Sequence, residues 1–569
     1  MDNFLASKIA EVTPKLNSDI VNGIAIKHMT KAVDYIDSVL RDVSKNFPAG
    51  LVYHDKEICT PVEMFEFETA KKNSKRMLDI APSNLILVKF FFSFNGVRLP
   101  PHYMYLPYLN PGEAGRLDLS GTRYYIHPML SDDCFSPSDK GVFVRLLRDR
   151  LNFETIDHIV VCDGSAETMR VTYSRLYHQN KNDKKLKPSI KALTCLPHYL
   201  FCKYGVTETF AKYANCKVYI GLDKIDELNA GHVNFGVTEI TEEKFPRDEW
   251  VIFSSRGLKP SGLGKVRYIN PSRIKLAIRK RDINSLTKGM IAGFFYVVDY
   301  FPERIMPAWI DNCDLWKRLL GLFLFSENVP EGKILESING HIRSLDEYID
   351  NIVALKLKES GYPCRDIYDM MAIVMENIVD WMRKSKTTIN SMYDKELTVL
   401  YNVLFKVTSA IFKMHYKLTS AAKKGLKERD VIQIMKSQWK TKVIYKITKG
   451  DPCVTVDSYS GDNKFFKIGT ILVPQRASAA GGKKKDRASS SDPSKKIHIS
   501  VAEHGGFSNL PKSDPTGRSC INPHTMLTPN GRLMRNPARV ELLDKVQSML
   551  DQVSGPTSDV VIEDDVIID

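Results

Sequence analysis

The sequence has no run of about 18 uncharged apolar residues, so no segment reads as a membrane-spanning helix. Its opening, MDNFLASKIAEVTPKL, lacks the basic-then-apolar order of a secretory leader. The expectation is a soluble protein that stays where it is made. Ten cysteines include no CxxC pair, and in a chain this long they read as reduced, mostly buried thiols. The stretch CLPHYLFC gathers Cys195, His198 and Cys202, with Cys216 further on. It is apolar and its spacing matches no standard zinc pattern, so core packing is expected and no metal.

Catalytic signatures are missing as well. There is no HExxH and no GxSxG. No Asp-x-Asp pair sits in a glycine-rich loop of the kind that holds two magnesium ions. Gly264-Lys265 fails as a phosphate-binding loop, because Lys259 stands where its first glycine belongs and Val266 where Ser or Thr should follow. Asp132 and Asp133, and Asp462 in SGDNK, read as turn or cap residues. By itself the chain is expected to do no chemistry.

What the chain does have is positive charge. Lys and Arg number 81 against 67 Asp and Glu, a net charge of +14. No basic residue follows Lys545, whereas Asp559, Glu563, Asp564, Asp565 and Asp569 crowd the end. The body is therefore more basic than the total, which suits a polyanionic partner. A free-standing nucleic-acid-binding accessory factor, or a virion structural protein facing packaged DNA, would carry the same balance.

A length of 569 residues exceeds one core, and about three or four domains are expected. Residues 1 to 80 read as helical pieces, DYIDSVLRDVSKNF most clearly. NLILVKFFFSFNGVRL reads as a hairpin turning at Asn95-Gly96, RLDLSGTRYYIHPML as a strand pair turning at Ser120-Gly121, and HIVVCDGSAETMRVTY as strands joined at Asp163-Gly164. KALTCLPHYLFCKYGVTETFAKYA reads as helix, CKVYIGL and WVIFSS as short strands, and HQNKNDKKLK as an exposed loop. The basic residues of 262–282 either line a groove for a nucleic-acid backbone or cover a helix. In the middle third, Ser344 and Glu347 have capping-box spacing, followed by apolar Ile349, Ile352 and Val353. Helical core stripes continue through Ile367, Met370, Met371, Val374, Ile378 and Met382, then Leu400, Leu404, Val407 and Ile411. KVIYKITKGDPCVTV reads as a hairpin and RASAAGGKKKDRASSSDPSKK as a flexible basic loop. The segment LPKSDPTGRSCINPHTMLTPNGRL, 510–533, has too many prolines for a helix or central strand. Its irregular backbone could follow a nucleic-acid strand, offering Lys512, Arg518, His524, Arg532 and Arg535 to phosphates.

Four segments together carry a family likeness: GRLDLSGTRYYIHPMLSD; KALTCLPHYLFCKYGVTETFAKYANCKVYI; KRLLGLFLF with LDEYIDNIVALKLKESGYPCRDIYDMMAIVMENIV; and the ending, where GGKKKDRASSSDPSKK, GGFSNLPKSDPTGRSCINPHTM and LTPNGRLMRNPARVELL follow in order. The chain resembles the N-terminal half of the β subunit, the second-largest subunit, of multisubunit DNA-dependent RNA polymerase, as split in giant (jumbo) tailed bacteriophages.

The resemblance implies a multidomain α+β fold with a protrusion, lobe and fork. In that layout 1–150 starts the protrusion, 151–340 is the lobe, and 341–455 returns helically to the protrusion. Residues 456–545 form the fork and active-channel wall, and 546–569 a flexible acidic tail. It further implies one wall of the DNA cleft, contacting template DNA and the RNA–DNA hybrid. Lys483, Lys484, Lys485, Arg487, Lys512, Arg518, Arg532 and Arg535 would meet nucleic acid, with Asn522 and His524 where the family has a basic pair. Catalytic aspartates and their magnesium would lie in a β′-like partner, and a C-terminal β-like chain would complete the subunit. The implied location is the host cytoplasm, in a viral transcription compartment, or the virion.

Overall fold

The structure is a computed structural model. It describes residues 16–442 apart from 72–83, 110–114, 120, 138–140, 147–149, 175, 177–193, 224–236, 260–266, 326–328, 347 and 389–390. Beyond these it describes 454–456, 470–472, 500–504, 518–537, 541, 544, 545 and 548. The exposed-loop segment HQNKNDKKLK, the turn of KVIYKITKGDPCVTV, the basic loop and the acidic tail lie outside the described residues. The fold is mixed α+β and divides into two compact units, 1–133 with 390–569, and 134–389.

The first unit opens with two short helices, α1 (Ser18–Asn22) and α2 (Ile24–Met29), then α3 (Ala32–Ser44). Ile36, Val39, Leu40 and Val43 of α3 face inward at i, i+3, i+4 and i+7, as its amphipathic sequence predicts. Residues 51–58 depart from the helical reading and form strand β1 (Leu51–Ile58), followed by α4 (Pro61–Lys71). The polar run Asp55-Lys56-Glu57 hides the strand from a periodicity search. Extended pairing with the Phe-rich neighbour nonetheless buries Leu51 and Tyr53.

That neighbour is β2 (Leu85–Phe94), which also pairs with β3 (Val97–Arg98) and β4 (His102–Pro107). Asn95 and Gly96 turn the β2–β3 hairpin with φ of 49° and 82°, the double positive φ that a type I′ turn demands. β5 (Arg116–Leu119) and β6 (Thr122–Ile126) pair as the sequence suggests, and β7 (Met129–Asp132) ends this part.

The second unit is built on an eight-stranded sheet. Its strands are β8 (Phe135–Pro137), β9 (Gly141–Arg145), β10 (Arg150–Cys162), β11 (Ser165–Ser174), β12 (Tyr219–Leu222), β13 (Thr238–Glu239), β14 (Trp250–Ser255) and, after the two-stranded β15 (Leu258–Lys259) and β16 (Arg267–Tyr268), β17 (Ile274–Arg279). The order is β13-β12-β17-β14-β10-β9-β8, with β11 on β10. Asp163 and Gly164 turn β10 into β11 with φ of 47° and 87°. The core of the basic stretch 267–282 is not an α-helix but β17, an inner strand of this sheet, followed by a single 3-10 turn at Lys280–Asp282.

Helices complete the unit. The expected helical stretch breaks at Gly205 into α5 (Leu196–Tyr204) and α6 (Val206–Ala214). Next come α7 (Ser285–Tyr300), α8 (Cys313–Leu324), α9 (Glu331–Leu345), α10 (Asn351–Glu359) and α11 (Ile367–Thr388). α7 is apolar nearly all round and buried, the mark of a central helix. Trp316 packs between Phe201 and Phe294, with ring centroids 4.9 and 6.1 Å away. Asp299 is fully buried, but its carboxylate lies 3.0 Å from His158 Nε2 and accepts from Ser255 Oγ, so the site is matched.

Ser344 does not cap a helix as its spacing suggests. It lies in the last turn of α9, where its hydroxyl donates to His341 O at 2.7 Å. α10 starts at Asn351, and Asp350 Oδ1 accepts from Val353 N at 2.9 Å. α11 buries Ile367, Met370, Met371, Val374 and Ile378 as expected, with Met382 half-buried.

Returning to the first unit, Glu396-Leu397-Thr398 is strand where a helix was expected: β18 (Lys395–Thr398) pairs with β7. Then come α12 (Leu400–Val403), α13 (Phe405–Ala422) and α14 (Glu428–Gln438). Trp439 is fully buried, stacked on His102 at 4.4 Å and packed against Phe90 at 5.0 Å. The remaining elements are β19 (Val454–Val456) on β6, β20 (Thr470–Leu472) between β7 and β21 (Arg518–Cys520), the short α15 (Ser500–His504), and the hairpin β22 (Met526–Leu527) and β23 (Leu533–Met534).

Two glycines of α7 give a paired prediction. A Cβ at Gly293 would sit 2.4 Å from Pro197 Cγ, whereas at Gly289 its nearest neighbour is Met375 Cβ at 3.8 Å. Gly293→Ala should lower stability by about 1–3 kcal/mol through overpacking. Gly289→Ala should raise it by up to about 1 kcal/mol through helix propensity. Urea-unfolding midpoints of the two variants check both signs.

Candidate nucleic-acid interface

Of the predicted contact residues, Lys483, Lys484, Lys485, Arg487 and Lys512 lie outside the described residues. The rest fall in 518–537, a segment with little regular structure that is pinned at both ends. Arg518 belongs to β21 and pairs in register with Leu472. The chain then turns at Asn522-Pro523-His524-Thr525: Thr525 N donates to Asn522 O at 3.0 Å, and Asn522 Oδ1 accepts from His524 N at 3.0 Å. This is the local side-chain-to-backbone bonding that favours Asn in turns.

Asn17 holds that turn from the other end of the chain. Its backbone N–H donates to Pro523 O at 2.8 Å and its side-chain amide to Thr525 O at 2.7 Å. The same side chain accepts from Asp19 N and so caps α1. Asn536 Nδ2 donates to His524 O at 3.0 Å, closing the loop from the far side. Asn522 and His524 thus sit together and shape the turn; the His524 ring is half-buried.

The β22–β23 hairpin is fixed by its turn. Thr528 N donates to Arg532 O, Gly531 N to Thr528 O, and Arg532 N to Thr528 Oγ1 at 3.0 Å. Gly531 has φ of 92° and its carbonyl accepts from Leu397 N at 2.7 Å, which docks the hairpin on β18. Arg532 Nε lies 3.3 Å from Asp133 Oδ2, so its charge is already matched within the fold. Arg535 is exposed and lies near Tyr393. Burial, the hydrogen bond to Glu503 at 2.5 Å and the Glu503 charge push the Tyr393 phenol up to about 12, with Arg535 opposing, so this hydroxyl stays a neutral donor.

Sequence reading missed the roles of Asn17 and Asp133, which show only once residues about 400–500 positions apart are brought together. It placed the cysteine–histidine cluster correctly in the core. Cys195, at the N-cap of α5, and Cys202 on α5 are buried, and His198 Nε2 donates to Trp316 O at 2.9 Å. Burial pushes the Cys195 thiol up to about 12 and the His198 imidazole down to about 4, so both are uncharged near neutral pH. Among the described residues no group of three or more His, Cys, Asp or Glu could hold a metal ion, and no described helix is long and apolar enough to cross a membrane. The segment is irregular and held by hydrogen bonds at its turn, and Arg535 is exposed on it.

A Cβ at Gly531 would lie 2.5 Å from Leu397 O on a backbone of positive φ, whereas at Gly96, also of positive φ, it would meet nothing within 4 Å. Gly531→Ala should therefore undock the hairpin, and Gly96→Ala should cost only the local strain of about 1 kcal/mol. Hydrogen exchange at the Leu397 amide checks this, rising in the first variant and unchanged in the second.

No curated protein matches the chain. The model of one family, described as non-virion RNA polymerase subunit, matches residues 3–545. The match runs through both compact units and the pinned segment 518–537, and the chain therefore belongs to the family of non-virion RNA polymerase subunits.

Proposed function

We propose that this polymerase subunit is the β-like N-terminal chain of a phage-encoded multisubunit DNA-dependent RNA polymerase. In this reading it forms a wall of the DNA cleft and contributes no catalytic aspartate. The observation that carries the proposal is the family match over 3–545, joined to the four β-like segments of the sequence and their order. In this reading 1–150 and 341–455 make the protrusion, 151–340 the lobe and 456–545 the fork.

The pinned segment 518–537 lines the path of template and hybrid. A backbone held by the hydrogen bonds of its turn suits positional contacts to phosphates that do not read bases. Arg535 is the exposed group in this role, and by the resemblance Arg518, Lys512 and the 483–487 cluster would also contact nucleic acid. Asn522 and His524 set the turn, and Arg532 holds it to Asp133. Magnesium and the nucleotidyl-transfer chemistry belong to a β′-like partner, and a C-terminal β-like chain completes the subunit. The site of action is the transcription compartment of the infected cell. A family of non-virion polymerases argues against a packaged structural role.

Affinity purification from infected cells should return large polymerase chains in one-to-one ratio, one of them carrying an Asp-x-Asp-x-Asp motif. Recovery of the chain alone, or with capsid proteins only, would sink the proposal. In the assembled enzyme, Arg535→Ala should weaken template binding by several-fold, up to about tenfold, with assembly unchanged. Nitrocellulose filter binding at two salt concentrations reads the difference.

A further inference from the structure

The helical hairpin α13–α14 of the first unit carries a surface of one charge. Residues 405–442 hold ten Lys and Arg (406, 413, 417, 423, 424, 427, 429, 436, 440, 442) against two acids, Glu428 and Asp430. Helical geometry sorts these charges. On α13 the inward stripe is Val407, Ile411, Met414 and Leu418, and Lys413, Tyr416, Lys417 and Ser420 lie opposite at i, i+3, i+4 and i+7. On α14 Val431 and Met435 face inward, while Arg429, Gln433, Lys436 and, just beyond the helix, Lys440 lie outward at i, i+4, i+7 and i+11. Exposed Lys423 and Lys424 lie in the turn that joins the two stripes.

The contrast with the rest of the unit is what makes this surface informative. Lys27 pairs with Asp19, Lys45 with Asp42, Lys56 with Asp34 and Asp37, Lys89 with Glu63, and Lys395 with Asp132. Among the described residues, none of Lys413, Lys417, Lys423, Lys424, Arg429 and Lys436 has a carboxylate partner. A solvated helix face ordinarily mixes signs, with i, i+4 pairs. Here the outward stripes of two adjacent helices carry cations and no carboxylate, Glu428 and Asp430 lying off the stripe at the start of α14. We propose that the outer face of the α13–α14 hairpin is a docking surface for duplex DNA, engaging the phosphodiester backbone without regard to sequence.

Three features favour a duplex. The 18 residues of α13 form an edge of about 27 Å, along which duplex DNA offers a charge every ~1.7 Å. The donors are mainly lysines, point charges that suit phosphates and read no base edges. Binding of single strands relies on a series of aromatic rings to stack successive bases, and between these lysines stands a single tyrosine, Tyr416, 71% exposed. The inference is independent of the β-like reading, since it rests on the charge of this face alone.

The test uses the full-length chain and the assembled polymerase, with the variant K413Q/K417Q/R429Q/K436Q, whose side chains are exposed or project from the outer face. Anisotropy titration with duplexes of about 30 base pairs and unrelated sequence should show affinity reduced at least about tenfold near 0.1 M salt. The slope of log K against log salt should fall by about 3 to 4, roughly 0.9 per lost phosphate contact. The charge-keeping variant K413R/K417R/R429K/K436R should bind as the unaltered chain does, and the melting temperature of both should be unchanged. Equal affinity and slope in the glutamine variant would overturn the inference. So would loss of single-stranded RNA binding with duplex binding intact, or loss of a polymerase partner chain with DNA binding intact, which would assign the face to an acidic protein. Co-purification of the partner chains with the variant keeps this result separate from the subunit's placement in the enzyme.

Discussion

One strand pairing organises the first unit: β18 against β7. Lys395, Glu396, Leu397 and Thr398 lie opposite Asp132, Ser131, Leu130 and Met129, and the pair is fastened by Ser131 Oγ and Thr398 Oγ1 at 2.9 Å and by Lys395 with Asp132 at 2.7 Å. Through this pairing the chain re-enters the unit it left at residue 133. Gly531 docks on Leu397, Arg532 bridges Glu396 and reaches Asp133, and β20 adds to the free side of β7. The candidate interface therefore has no frame of its own. Its positions are inherited from a ladder formed by residues more than a hundred positions upstream.

The parts of this fold that could be read from sequence are those whose cause is local. Asn95-Gly96 and Asp163-Gly164 mark their hairpins because both residues must take positive φ, and few residue types accept that. The stripe of α11 is legible because burial on one face imposes the helical period from Ile367 to Met382, over about four turns. β1 and β18 were hidden for the opposite reason. Asp55-Lys56-Glu57 and Lys395-Glu396 look like solvated helix, and only a distant partner strand makes them extended. The Ser344–Glu347 spacing misled because a cap acts only where the backbone leaves the helix, and at Ser344 α9 has not yet ended.

The binding residues divide along the same line. That the chain favours a polyanion was legible from its net charge, because charge is additive and needs no fold. Which cations are spent internally was not. Arg532 looked as available as Arg535 in the sequence, yet one is matched by Asp133 and the other is exposed. Conversely, the sequence up to Tyr416 shows only an apolar stripe, and the outer face of α13 and α14 emerges in the fold, where among the described residues Lys413, Lys417 and Lys436 have no carboxylate partner.

The ladder between β7 and β18 also sets an order of events during synthesis. Lys395 emerges 263 residues after Asp132, an interval of roughly 13–50 s at about 5–20 residues per second. For that time β7 stands with an open edge, the state most exposed to mispairing. The second unit, whose strands and helices all fall within 134–389, can close meanwhile. The first unit cannot finish until residue 536 has left the ribosome and Asn17 has met its carbonyls at Pro523 and Thr525. Residues made first are among the last to reach their final partners.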